Sequence, residues 1–286
     1  MTPTRLSLSH LSALEVPPPH LVSLAADTGY WAVGLRLNPA APGAISYPLR
    51  PGTVEMAETK RRMKDTGVAV YDVEFIPLTP TIDISSYADM FEGAAELGAQ
   101  RVNVSGDDPE FSRLVFHFAE ICELASTFGL GVDLEFMRWR HVGSLPQAAE
   151  IVRQAGAHNG GILLDALHLF RSGGSPADVR ALKSGLIRSA QLCDAPAAAP
   201  PPEGIIEEAR NHRLSPGEGE LPLRELVRGL QPGVALAVEV PMPPSAGLTP
   251  QAHVQRIRKA AEELLGSDVG HDRIGQSMPH SAASTK

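Results

Sequence analysis

The sequence predicts a single (β/α)8 barrel, the TIM-barrel class of α/β proteins, over residues 1–265. Short apolar segments alternate eight times with longer segments of helical periodicity, and one domain of this size holds eight such units. Glycine follows most of the helical segments, as is common where a helix ends. The main alternative is an open doubly wound sheet, but no Gly-x-Gly-x-x-Gly motif follows the first strand.

The predicted strands are short, mostly apolar, and several end in an oxygen-bearing side chain. Parallel barrel strands are buried on both faces, which explains apolar runs such as Ile162-Leu163-Leu164. In chain order the predicted strands are 5–9, 31–36, 68–75, 101–105, 132–135, 161–165, 187–191 and 234–240.

The predicted helices lie between the strands, and several begin at proline. In chain order they are 17–29, 54–66, 87–97, 109–128, 145–157, 176–182, 221–230 and 249–265. The longest of them carries apolar residues at helical spacing, namely Leu114, Phe118, Ile121 and Leu124. Segments 38–52 and 195–210 are predicted loops, and the polar residues 266–286 are predicted to form a disordered tail.

Composition limits the class of protein. The chain has 286 residues, of which 43% are hydrophobic, and a formal net charge of -8, which argues against a nucleic-acid partner. Cys122 and Cys193 are too few for a disulfide framework, and no basic-then-apolar leader or membrane-length apolar run is seen. We therefore expect a cytoplasmic protein with a small-molecule substrate and no membrane partner; a homo-oligomer is left open.

Four oxygen-bearing residues, Glu135, Asp165, Gln191 and Glu239, end the fifth to eighth predicted strands. Catalytic groups of such barrels collect at these strand ends. Three converging carboxylates would repel one another, and a hard divalent cation would remove that conflict. Carboxylate and amide oxygens favour Mn²⁺ or Mg²⁺, with Co²⁺ or Zn²⁺ as alternatives. Taken singly, each residue could instead be an ordinary helix cap or loop residue.

Several longer strings resemble one family, the xylose isomerase-like TIM barrels. They are Asp133-Leu134-Glu135, Leu164-Asp165-Ala166-Leu167-His168, Gln191-Leu192-Cys193-Asp194-Ala195-Pro196, Pro216-Gly217-Glu218-Gly219-Glu220-Leu221 and Val238-Glu239-Val240. The family contains sugar isomerases, 3-epimerases, inosose dehydratases and 3-dehydroshikimate dehydratases. The resemblance implies metal ligands at Glu135, Asp165, Gln191 and Glu239.

One branch of this family is favoured by particular residues. Many of the epimerases carry histidine where this chain has Gln191, which is more similar to the 3-dehydroshikimate dehydratase branch. Trp139-Arg140-His141-Val142 and His212-Arg213 are also similar to that branch. The endonuclease IV branch needs extra histidines, and the chain has none between His20 and His117.

The resemblance also implies roles for individual side chains. Glu135 and Glu239 correspond to the paired acid and base of the epimerases, while a dehydratase would use a histidine, for which His168 is placed. Substrate-binding candidates are Arg213 for an anionic group, Trp139 and His141 as pocket walls, and Glu74 for hydroxyl groups. For each of these the alternative is a structural or solvated role.

Three functions follow from these residues. The leading prediction is a divalent-metal-dependent isomerase or epimerase that abstracts a proton next to a carbonyl of a small polyhydroxylated substrate. The alternative enzyme is a metal-dependent 3-dehydroshikimate dehydratase, a lyase that gives protocatechuate. The non-enzymatic alternative is a degenerate barrel that serves as a binding module.

Overall fold

The computed structural model describes residues 5–182, 185–242 and 247–269. Within these ranges eight parallel strands close into a barrel in sequence order, and the eighth pairs with the first through Ala237 and Ser7. The strands are β1 (Leu6–Leu8), β2 (Ala32–Arg36), β3 (Ala69–Leu78), β4 (Arg101–Gly106), β5 (Gly131–Glu135), β6 (Gly160–Asp165), β7 (Ile187–Leu192) and β8 (Ala235–Val238). The predicted (β/α)8 barrel is confirmed.

Helices cover the outside of the barrel. They are α1 (Pro18–Asp27), α2 (Val54–Thr66), α3 (Ala88–Glu96), α4 (Phe111–Thr127), α5 (Leu145–Ala155), α6 (Ala166–Arg171), α7 (Pro176–Ala181), α8 (Ile205–Asn211), α9 (Leu223–Gly229) and α10 (Pro250–Val269). The predicted helix bounds agree with the observed ones for α2, both ends of which carry a capping residue. The Thr53 hydroxyl caps the start of α2, and Gly67 ends that helix with a φ of 76°.

Two of these helices, α6 and α8, were not predicted, and the predicted loop 195–210 was wrong over 205–210. Helix α6 starts directly after β6 because Asp165 ends the strand and caps the helix at once. Helix α8 begins inside the segment 195–210 and ends one residue beyond it. It follows a run of prolines, which suggested a loop but also precedes helices readily.

The C-terminal boundary is only partly described. Helix α10 contains a non-helical residue, Gly266, with a φ of 51°, where the barrel was predicted to end. Residues 270–286 of the predicted tail lie outside the described residues, so its disorder stays a prediction. No helix within the described ranges is both long and apolar enough to cross a membrane.

Side chains alternate between the two faces of each barrel strand. On β5, Val132 and Leu134 pack in the apolar layer beneath the helices. The intervening Asp133 accepts a hydrogen bond from the Ser189 hydroxyl of β7 at 2.9 Å, inside the barrel. Glycine makes room there, since a side chain at Gly131 would collide with the Arg101 guanidinium. The barrel interior is therefore polar.

His10 braces the rim of the barrel beside β2. Its Nδ1 accepts the backbone N–H of Arg36 at 2.8 Å, and its Nε2 lies 3.0 Å from the carbonyl oxygen of Val16. A neutral ring protonated on Nε2 satisfies both contacts. The ring also stacks on Tyr47, with 5.2 Å between centroids. Burial lowers the pKa of His10 from 6.5 to about 4.

We expect His10 to make stability depend on pH. Because its folded pKa lies below its unfolded pKa, the unfolded chain takes up the proton first as the pH falls. The stability present above pH 6.5 is therefore lost toward pH 4, by on the order of 3 kcal/mol from this residue. Denaturant unfolding across this range should show a shallower loss for His10→Gln than for wild type.

The matched control is His20→Gln, since His20 is exposed on α1. It should keep the wild-type pH dependence of unfolding. A wild-type dependence in His10→Gln as well would contradict the expectation.

Candidate active site

The four residues predicted as a metal set lie together at the carboxyl ends of adjacent strands. Glu135 ends β5, Asp165 ends β6, Gln191 lies in β7 and Glu239 directly follows β8. The register pairs Asp165 with Gln191. All four are buried, with at most 6% of each residue exposed. The fold thus produces the acidic rim that the sequence predicts.

Glu239 is held by several contacts at the closing seam of the barrel. Its Oε1 accepts hydrogen bonds from the Ser9 hydroxyl at 2.5 Å and from the Gln191 Nε2 at 2.8 Å. Sequence reasoning missed Ser9, although it directly follows the first strand and strand-end position was the available signal. These donors orient the carboxylate toward the barrel mouth.

Gln191 supplies the test of whether the rim fits a cation. Its amide nitrogen is used by Glu239, but its Oε1 is buried and has no hydrogen-bond partner among the described residues. A buried acceptor without a partner is costly unless it has a ligand. Oxygen ligands of this kind suit a hard divalent ion. Gln191 is therefore consistent with the proposed metal set.

Arg213 lies among the carboxylates and is almost completely buried. Its Nη1 is 2.5 Å from Asp165 Oδ2 and 3.0 Å from Glu239 Oε2, while its Nε donates to the carbonyl oxygen of Ala209 at 2.7 Å. The sequence placed Arg213 on a loop facing substrate. The structure instead pairs it with two of the predicted metal ligands.

The chain around Arg213 is fixed by main-chain pairing. Asp194 and Leu214 exchange two backbone hydrogen bonds of 2.8 Å in an antiparallel bridge. The Asp194 carboxylate also accepts hydrogen bonds from the backbone N–H groups of Gly217 and Leu221. It lies so close to Gly219 that a side chain at position 219 would collide with it. Asp194 therefore shapes the Pro-Gly-Glu-Gly turn that follows Arg213.

His168 lies in the first turn of α6, next to two of the acids. Its backbone N–H donates to Asp165 Oδ1 at 2.9 Å, and its Nε2 is 3.6 Å from Glu135 Oε1. The ring meets the edge of Trp139 at 5.0 Å between centroids and an interplanar angle of 83°. The capping contact with Asp165 thus sets the position of the imidazole at the mouth.

Burial dominates the electrostatics of the site. It raises the pKa of Glu135 well above its ordinary value, with Glu239 and Asp165 adding repulsion. It also raises the pKa of Glu239 to about 7, although Arg213 opposes the rise. Burial acts in the same direction on Asp165, but Arg213 and His168 hold its pKa below its ordinary value. Burial lowers the pKa of His168 to about 4.

The acids and the histidine could together hold a metal ion. Glu135, Asp165 and His168 each offer a ligand atom, and these atoms lie within 4.8 Å of one another. A divalent charge would relieve the repulsion that raises the pKa of Glu135. The larger set with Gln191 and Glu239, and the identity of the metal, belong to the proposal below.

The other predicted binding residues have different surroundings. Trp139 is partly buried against His168, whereas His141 is exposed on the same loop. Glu74 is buried on β3 and accepts a hydrogen bond from Arg36 Nε at 3.0 Å. Sequence reasoning missed Arg36, although it ends a predicted strand. Substrate binding by Trp139, His141 and Glu74 stays a prediction.

Two curated bacterial proteins are similar to part of the chain, and both are named 3-dehydroshikimate dehydratase. The one from Pseudomonas aeruginosa is 31% identical over 158 residues, which are 53% of this chain and 24% of that protein. The one from Pseudomonas putida is 34% identical over 100 residues, which are 35% of this chain and 15% of that protein. The chain thus spans a quarter or less of each relative's length.

Solved structures share the fold at low identity. A zinc-bound IolI protein has a TM-score of 0.75 at 18% identity, covering 92% of this chain and 98% of its own. The probable 3-dehydroshikimate dehydratase AsbF from Bacillus anthracis has a TM-score of 0.72 at 16% identity, covering 90% and 98%. A D-psicose 3-epimerase has a TM-score of 0.69 at 13% identity, covering 92% and 100%.

A family model described as the xylose isomerase-like TIM barrel matches residues 22–264. That match runs from within α1 to within α10 and includes all four residues of the acidic rim. This chain belongs to the xylose isomerase-like TIM-barrel family.

Proposed function

We propose that the protein is a divalent-metal-dependent dehydratase that converts 3-dehydroshikimate to protocatechuate. The observation that carries the proposal is the buried rim itself. In it, His168 Nε2 lies 3.6 Å from Glu135 Oε1, and the Oε1 of Gln191 has no hydrogen-bond partner among the described residues. Both curated relatives carry this activity in their names, which also supports an enzyme over a degenerate binding barrel.

Glu135, Asp165, Gln191 and Glu239 would hold the ion. When bound, a divalent ion supplies a Lewis acid that makes the hydrogen next to the substrate carbonyl more acidic. Hydrogen bonds within the protein hold the Glu239 carboxylate in place, since Ser9 and Gln191 both donate to it. Arg213 balances part of the rim's negative charge through its ion pairs with Asp165 and Glu239.

His168 would move the proton. Its low pKa keeps the buried imidazole neutral near neutral pH, so that it can accept the proton from the carbon next to the carbonyl. It can then return that proton to the hydroxyl leaving the neighbouring carbon, which departs as water. Tautomerisation of the remaining ring gives the aromatic product. Trp139 fixes the ring orientation through its edge contact with His168.

A second candidate is an isomerase or epimerase, the leading prediction from the sequence. It is favoured by the two buried carboxylates of Glu135 and Glu239 at the same mouth, since a two-base reaction needs an acid and a base. The shared fold of the D-psicose 3-epimerase agrees with it. In that reaction one carboxylate removes the proton and the other returns it to the same carbon.

One experiment separates these candidates. We expect metal-stripped protein to take up about one Mn²⁺ or Mg²⁺ per chain and then to release an aromatic product from 3-dehydroshikimate, followed by ultraviolet absorbance. Ketoses and inososes assayed in parallel should remain unchanged. Turnover of a ketose without dehydration would establish the second candidate, and failure to bind any divalent ion would refute both.

A further inference from the structure

Arg36 ends β2 on the rim of the same mouth and is 7% exposed. Its backbone is fixed on both sides, because its N–H donates to His10 Nδ1 and its carbonyl accepts the N–H of Tyr47, both at 2.8 Å. Burial alone would lower the pKa of Arg36, but the negative charges of Glu74, Glu239 and Glu135 raise it. The guanidinium is therefore held rigidly within electrostatic reach of the acidic rim.

The side-chain hydrogen bond of Arg36 leaves both Nη groups of its guanidinium available. Its Nε donates to Glu74 at 3.0 Å. Among the described residues neither Nη atom has a hydrogen-bond partner, and neither belongs to the fully buried atoms that lack one. The two Nη groups together form an end-on fork, the geometry that binds a carboxylate through two parallel hydrogen bonds.

Arg213 has no such fork. Its Nε is used by Ala209, and its Nη1 by Asp165 and Glu239. Only its Nη2 remains, so it can offer a substrate carboxylate one nitrogen rather than two. A carboxylate approaching Arg213 would also meet two buried acids directly, whereas Arg36 has Glu74 alone as its ion-pair partner in the described residues.

We propose that Arg36 binds the carboxylate of the substrate through its two Nη groups and so selects an acidic substrate. This inference rests on the proposed dehydratase function and names the residue that recognises its substrate. Glu74 acts as a positioning residue, because it holds Nε and leaves both Nη groups free. The anion-binding role that the sequence suggested for Arg213 thereby passes to Arg36 at the end of β2.

The test compares a carboxylate with its neutral analogue. Protocatechuate and its carboxamide are titrated calorimetrically into metal-loaded wild type and Arg36→Lys. Lysine keeps the charge beside Glu74 but loses the fork. We expect Arg36→Lys to weaken protocatechuate binding ten- to a hundredfold and carboxamide binding less than about twofold. For dehydroshikimate turnover, KM should rise more than kcat falls.

Arg138→Lys is the matched control, since Arg138 is an exposed arginine on the loop after β5. It should bind both ligands as wild type does. Circular dichroism and denaturant unfolding would first establish that Arg36→Lys is folded. Arg213→Lys in the same titration should not show a larger carboxylate-selective loss than Arg36→Lys.

The outcomes separate this inference from the proposed function. Dehydration by wild type with equal losses of both ligands in Arg36→Lys would show a purely structural residue and overturn the inference alone. A larger carboxylate-selective loss in Arg213→Lys would also overturn it. If wild type does not dehydrate dehydroshikimate, the proposed function fails, while a carboxylate-selective loss in Arg36→Lys would still support Arg36 as the anion-binding residue.

Discussion

Replacing Glu239 with glutamine is expected to lower kcat/KM by about a thousandfold or more while leaving the barrel folded. Glutamine retains the size of the side chain and an oxygen that can accept from Ser9 and Gln191, the present donors to Oε1. Its amide nitrogen, however, would face Arg213 Nη1, which now lies 3.0 Å from Oε2. The variant thus loses a negative charge that a metal and a proton transfer both need.

Steady-state kinetics with added Mn²⁺ would measure the loss, and metal analysis would show whether the ion is also bound more weakly. Glu225→Gln is the control, because Glu225 is exposed on α9 and the same chemical change there should leave activity intact. Near-wild-type turnover by Glu239→Gln would remove Glu239 from both the metal set and the reaction.

Replacing Arg213 with methionine is expected to destabilise the metal-free protein by about 3–5 kcal/mol. The side chains of Arg213, Asp165 and Glu239 are each at most 5% exposed, and the substitution leaves two buried acids without their shared cation. Methionine fills much of the volume, so the loss of charge rather than a cavity should dominate. Urea unfolding in the presence of a chelator would measure the change.

Added Mn²⁺ should recover part of this loss, because a bound ion would supply positive charge to the same carboxylates. Arg210→Met is the matched control, since Arg210 is exposed at the end of α8 and its replacement should change stability little. Equal stability of wild type and Arg213→Met under chelation would show that the ion pairs contribute nothing measurable. Unchanged destabilisation on adding Mn²⁺ would argue that no cation binds beside these acids.

The predicted fold and rim rested on local signals. Most strands are short apolar runs, and the last residue was placed within two residues for every strand except β3, which ends three residues later than predicted. A barrel puts all such residues at one mouth. Asp165 and Gln191 became neighbours for that reason. Helix α2 was predicted with its observed bounds because Thr53 and Gly67 mark its two ends.

Contacts between strands that are far apart in the chain could not be predicted from the sequence. Ser9 and Glu239 are 230 residues apart and meet only because the sheet closes between β8 and β1. Arg36 and Glu74 pair across two neighbouring strands, and no periodicity distinguishes such a pair from two solvated charges. Their burial, which makes the pair consequential, is a property of the closed barrel.

The sequence by itself determined the fold class and the strand-end positions of the four rim residues, since strand ends are local. Tertiary structure decided which charges face each other. Arg213 was predicted as a loop residue that binds an anionic substrate group, and the packing of α8 and the Asp194 bridge place it against Asp165 and Glu239. Electrostatic partnership depends on distance and burial, and both arise only when remote segments pack together.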